Sequence, residues 1–118
     1  MSDGPGTPIP DEELLIGAGE LSVLLAEDKT VAVIDLRDEE EFRMLHLDGA
    51  RPATRELVDE MFDKWPKDAR VVVCDHFGDR AINAARVLAK RGFSRAKALK
   101  GGIDAWSLEV DPLVPRYP

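Results

Sequence analysis

The chain has 118 residues, of which 44% are hydrophobic and 33% charged, with one cysteine and a formal net charge of −7. That length supports one domain with a core built without disulfides or metal, and a single cysteine excludes an intrachain disulfide framework or a cysteine-rich zinc site. The acidic balance argues against nucleic acid or an anionic membrane as partner, since both reward basic surfaces, and no apolar run approaches the roughly 20 residues that span a bilayer.

Residues 1–10 contain Gly4, Pro5, Gly6, Pro8 and Pro10 and read as a flexible N-terminal arm. They have neither a basic start nor an apolar centre, so they do not resemble a secretory signal. With the lone thiol, this predicts a reducing, cytoplasmic setting. Residues 11–118 read as the folded domain.

Leu14-Leu15-Ile16 predicts a short strand. Glu20 to Ala26 predicts a helix, with Leu21, Leu24 and Leu25 at i, i+3, i+4. Val31 to Ile34 is a continuous apolar run, the pattern of a parallel strand buried on both faces. Asp35-Leu36-Arg37 follows at its C-terminal end, where ligands bind in open α/β sheets. Asp35 and Arg37 fit two roles there, a structural pair or support for a site.

Asp38 to Leu45 opens with four acidic residues, which favour a helix first turn, and Phe42 and Leu45 are its expected buried anchors. His46 to Ala50 reads as a loop, with His46 either a general base or a hydrogen-bonded loop residue. Thr54 to Trp65 fits an amphipathic helix capped by Thr54, with Leu57, Val58, Met61 and Phe62 inward.

Val71-Val72-Val73-Cys74 is a second β-branched run, ending on the only cysteine. Ala81, Ala84, Ala85 and Leu88 then recur at i, i+3, i+4, i+7, predicting a helix from Arg80 to Arg91 that Gly92 stops. A strand that feeds a helix through a short loop turns backbone amides and the positive helix end toward one spot. A cysteine there has a route to a lowered pKa and a reactive thiolate. Buried inert cysteines are also common, and on these features alone both readings of Cys74 stand. Ala96 to Leu99 predicts a last strand, Gly101-Gly102 a turn, Ile103 to Trp106 a short helix, and Asp111 to Pro118 a surface tail. Strands alternating with helices argue for an α/β domain with a mainly parallel sheet.

Three segments in order carry a family resemblance. They are Val33 to Arg37 with Glu41-Phe42 and His46 to Ala50; Val71 to Arg80 with Ala84-Ala85, Leu88 and Gly92-Phe93; and Leu99 to Trp106 with its Gly101-Gly102 pair. On these the chain resembles a single-domain rhodanese, over roughly Leu14 to Tyr117. The resemblance implies a three-layer α/β sandwich with a central, mainly parallel five-stranded sheet flanked by helices. It implies a sulfurtransferase in which Cys74 takes sulfane sulfur from a small anionic donor such as thiosulfate, holds it as a persulfide, and passes it to a thiophilic acceptor. Asp75, His76, Phe77, Gly78, Asp79 and Arg80 would form the substrate-binding loop, supported by Asp35 and Arg37. No metal or organic cofactor is implied. Phe77 is a candidate contact for a protein partner.

Two features depart from the sulfurtransferase pattern. Cys74 through Arg80 makes a seven-residue loop where the family's sulfurtransferases usually have six, and Ala81 stands where they have Ser. Seven is the length in the phosphatases and arsenate reductases that share the fold, and Asp75 and Asp79 also resemble that loop. An arsenate reductase would need an external thiol, because the chain has no second cysteine. Two carboxylates near a thiolate also raise its pKa and repel thiosulfate unless they point to solvent. The alternatives are thus a phosphatase or arsenate reductase on the same loop, and a non-catalytic binding module.

Overall fold

The computed structural model describes residues 9–111. A 3-10 turn over Asp11–Glu13 leads into β1 (Leu15–Ile16), α1 (Ala18–Glu27), β2 (Ala32–Asp35), α2 (Glu39–Met44), β3 (Arg51–Pro52), α3 (Arg55–Lys64), β4 (Val71–Cys74), α4 (Asp79–Lys90), β5 (Ala96–Leu99) and α5 (Gly102–Glu109). The strands form one sheet in the order β1-β5-β4-β2-β3, and every pairing is parallel. This is the α/β architecture expected from the alternating pattern.

Central strand β4 is buried along its whole length because it has a strand on each side and helices on both faces. Its side chains divide by the two-residue period of a strand. Val71 and Val73 join Ile34, Leu57, Met61, Ala81, Ala85, Leu88 and Phe93 in a core under α3 and α4. Val72 and Cys74 join Ile16, Leu21, Val33, Leu47, Leu99, Ile103 and Trp106 in a second core under α1 and α5. Register alone therefore assigns Cys74 to the α1/α5 face. Each buried valine of this strand contributes ~1.5–3 kcal/mol, which is why the cysteine's position is so firmly held.

Helix ends follow the expected chemistry. The Asp38 side chain accepts from the Glu41 amide at 2.8 Å, and the Thr54 hydroxyl accepts from the Leu57 amide at 3.1 Å. Small Ala81 and Ala85 face the sheet, so α4 packs closely on β4 and β5.

Several expectations are corrected. Leu45 is not an anchor of α2: it is 37% exposed, and the chain buries Leu47 (1% exposed) instead. Helix α2 ends at Met44 and Leu45 is in extended backbone, so helical spacing does not govern Leu45 or Leu47. Strand β3 had no apolar run to announce it. It is two residues long and contains Pro52, which an edge strand tolerates because it pairs on one side only. Ile9, assigned to the arm, packs on the α3/α4 core, and its carbonyl accepts from Arg86 Nη1 at 2.6 Å. Most of the arm (residues 1–8) and the tail from residue 112 lie outside the described residues. Among the described residues no helix is long and apolar enough to cross a membrane.

Candidate active site

Cys74 is the last residue of β4, with its side chain inaccessible to solvent. Its register partner on β2 is Asp35, and its carbonyl accepts from the Leu36 amide at 2.8 Å. The ends of β2 and β4 thus bring two separate stretches of sequence to one place.

Asp35 and Arg37 are both buried, and they close on each other. Arg37 Nη2 lies 2.8 Å from Asp35 Oδ2, Arg37 Nε lies 3.1 Å from Oδ1, and the Arg37 amide donates to Oδ1 at 3.0 Å. Arg37 Nη2 also donates to the Leu45 carbonyl at 2.5 Å, tying the loop after α2 to the sheet. These contacts make Asp35 and Arg37 a buried ion pair at the register position of Cys74.

The loop after Cys74 is shaped from within. Asp75 is buried, and its carboxylate turns back into the loop. Oδ1 accepts from the Gly78 amide at 2.6 Å, and Oδ2 accepts from the Arg80 amide at 2.8 Å. Gly78 caps α4 at φ 101°, a left-handed conformation that glycine adopts without strain. The positive end of α4 therefore already faces a negative charge supplied by the chain itself.

A second clamp comes from α5. The Ile103 amide donates to the Asp75 carbonyl at 2.9 Å, and the Asp104 amide donates to the His76 carbonyl at 3.2 Å. So close an approach requires glycine at the helix start. A Cβ on Gly102 would fall 2.6 Å from the Asp75 carbonyl oxygen, and φ there is +65°. The expected turn at Gly101-Gly102 is present, but its role in gripping the loop was not read from sequence. The signal available was a glycine pair opening a helix, where two left-handed residues imply a close backbone approach.

The remaining loop residues diverge. The His76 ring stacks on Phe77 with centroids 4.3 Å apart and planes 9° apart. His76 is half-buried, whereas Phe77 is 53% exposed. Asp79 is exposed in the first turn of α4 and takes no part in the amide contacts of the loop. Arg80 is also exposed, with one long hydrogen bond from Nη2 to the Leu36 carbonyl at 3.4 Å and its Nε 4.0 Å from Asp75 Oδ2. His46 lies outside the site as a hydrogen-bonded loop residue: Nδ1 donates to the Phe42 carbonyl at 2.7 Å, and the two rings stack at 3.9 Å.

The electrostatics overturn one expectation. The helix end and loop amides offered a route to a lowered thiol pKa. Instead the Cys74 thiol is pushed well up, first by burial and then by the charge of Asp35, with Asp75 adding to the rise and Arg37 opposing it.

Comparison with known proteins adds the following. The family model described as "Rhodanese-like domain" matches residues 18–109. The chain is 35% identical over 100 residues to the probable adenylyltransferase/sulfurtransferase MoeZ of Mycobacterium tuberculosis, covering 83% of this chain and 26% of that protein. It thus spans about a quarter of the length of that relative. It is 33% identical over 84 residues to the thiosulfate sulfurtransferase GlpE of Shewanella oneidensis, covering 71% of this chain and 83% of that one. Among solved structures, the rhodanese-like domain of Anabaena Alr3790 superposes with a TM-score of 0.69 at 27% identity, covering 80% of this chain and 74% of that one.

Proposed function

The chain belongs to the rhodanese-like domain family, and from that premise we propose that it is a sulfurtransferase carrying sulfane sulfur on Cys74. The observation that carries the reading is Cys74 at the C-terminal end of the central strand, followed by a loop whose Gly78 and Arg80 amides come from the start of α4. The relatives named as sulfurtransferases include a protein of similar length, the GlpE of Shewanella oneidensis.

In the proposed reaction the Cys74 thiolate attacks the outer sulfur of a donor such as thiosulfate. A new S–S bond forms to Cys74, the donor's S–S bond breaks, and sulfite leaves with the bonding pair. A thiophilic acceptor such as cyanide then attacks the outer sulfur of the Cys74 persulfide, forming thiocyanate and returning the thiolate. Loop amides and Arg80 would hold the charge that develops on the sulfur and on the leaving group. The test is a mass gain of one sulfur on Cys74 after incubation with thiosulfate, reversed by cyanide and absent in Cys74→Ser.

The seven-residue span from Cys74 to Arg80 favours a second reading, in which the same thiolate works on phosphate or arsenate. A wider loop suits a tetrahedral oxyanion. Hydrolysis of an aryl phosphate that depends on Cys74, without persulfide formation, would replace the first reading with this one. A Cys74 that yields neither signal would favour a binding module that presents Phe77 to a protein partner.

A further inference from the structure

We propose that Asp75 is a specificity-determining residue: its carboxylate occupies the anion cradle of the loop and excludes small dianionic donors until it is displaced. The inference rests on Cys74 chemistry at this loop and narrows which donors the loop accepts.

Asp75 follows the cysteine directly, and its side chain is only 4% exposed. Burying a carboxylate is costly unless its oxygens are satisfied. Here they are satisfied at both ends of a single cradle, Oδ1 by the Gly78 amide and Oδ2 by the Arg80 amide. These two amides belong to the cap and first turn of α4, where a donor's sulfonate or phosphate would otherwise be bound by the helix end. The backbone of Asp75 is held as well, because its carbonyl accepts from the Ile103 amide. The carboxylate is therefore an internal ligand on a fixed backbone, and it can leave only by side-chain rotation.

An incoming dianion meets two obstacles. The amide donors are already engaged, and the like charge of Asp75 sits at the same place. Arg80 is the one loop cation, and it is turned outward, 66% exposed. A donor whose outer sulfur enters without a second charged group avoids the contest. The class predicted to be favoured is a protonated persulfide, R–S–SH, in which only the sulfane sulfur needs to reach Cys74. Attack by the Cys74 thiolate forms Cys74–S–SH, breaks the donor's S–S bond, and releases R–S⁻ with the bonding pair.

The test uses sulfate as the dianion probe, titrated against the full chain while the Gly78 and Arg80 amide resonances are followed by NMR. Wild type should show no saturable shift at millimolar sulfate. Asp75→Ala and Asp75→Asn should bind sulfate at least about tenfold more tightly, through the freed donors and the lost like charge. Their KM for thiosulfate should fall by a similar factor while kcat changes less. Asp79→Asn removes the same unit of charge from the first turn of α4 without freeing either amide, and should not gain this affinity. The proposal is overturned if wild type binds sulfate as tightly as Asp75→Ala, or if Asp79→Asn gains as much. Should the Asp75 variants fail to fold, the wild-type titration decides alone: saturable shifts at Gly78 and Arg80 refute the occupied cradle, and their absence supports it. Lack of persulfide on every variant would count against the sulfurtransferase reading, while the sulfate titration would still decide the role of Asp75.

Discussion

Asp35 and Arg37 form a buried ion pair directly beside Cys74, with Arg37 Nη2 2.8 Å from Asp35 Oδ2 and the two side chains 0% and 1% exposed. The pair sits on the register partner of the cysteine, so it acts on the site through position and charge. Asp35 raises the thiol pKa and Arg37 opposes it.

Breaking this pair from the arginine side leaves an uncompensated buried carboxylate. Arg37→Ala should therefore cost about 3–5 kcal/mol in denaturant unfolding. Arg37→Lys should recover only part of that, because one ammonium cannot reproduce the contacts of the guanidinium to both carboxylate oxygens and to the Leu45 carbonyl. Full stability in Arg37→Ala would show that the pair is dispensable.

Gly102→Ala places a methyl group against the loop backbone. It combines a left-handed φ of +65° with a collision at the Asp75 and His76 carbonyls. The backbone conformation costs ~1–3 kcal/mol and the overlap a similar amount. The expected result is a lower melting temperature together with loss of Cys74 sulfur loading, because the Ile103 and Asp104 amides can no longer hold the loop. Gly19→Ala is the control. No atom lies within 4 Å of its added Cβ, and alanine has a higher helix propensity than glycine. Its stability should hold or rise.

The raised thiol pKa has a pH signature with a definite sign. Above the ordinary thiol value of 9.0 the unfolded chain loses the Cys74 proton while the fold keeps it. The fold then binds more protons than the unfolded chain, so stability falls as pH rises. This contribution is complete below pH 9 and declines above it. Comparing wild type with Cys74→Ala across pH 8–10.5 isolates it: the wild-type melting temperature should drop more steeply above pH 9. Alkylation of native Cys74 by iodoacetamide should be slow at pH 7 and still climbing at pH 9.5. A plateau near neutrality would mean that the thiolate is already formed.

Arg80 separates function from stability. Its side chain is 66% exposed, with one long hydrogen bond at 3.4 Å. Arg80→Ala should change folding stability by no more than about 0.5 kcal/mol. If Arg80 holds the donor's charge, the same substitution should remove ~1.5–3 kcal/mol of transition-state binding, seen as a loss of roughly 10- to 150-fold in kcat/KM for thiosulfate. Unchanged kinetics would assign the charge-holding role to the amides alone.

Much of the fold was legible in sequence because burial leaves a pattern. The apolar runs before Asp35 and through Cys74 became β2 and β4, and the alanine-leucine spacing after Arg80 became α4. Where a short element carries no such pattern, reading fails. Strand β3 is held by pairing with Ile34 and Asp35 on β2, a contact between residues far apart in the chain. Leu47 took the buried place expected of Leu45 because the chain had already left the helix at Met44.

By itself the sequence determined the alternation of strands and helices, the place of the cysteine at a strand end, and the seven-residue reach to Arg80. These follow from side-chain period and spacing, which are local. Only the tertiary structure decided where the charges point. Asp75 and Asp79 are indistinguishable as letters, yet one is buried across the loop amides and the other faces water. That choice depends on the grip of α5 on the loop and on the burial of Cys74 between sheet and helices. Both are made by residues distant in sequence, and through the thiol's environment they set its reactivity.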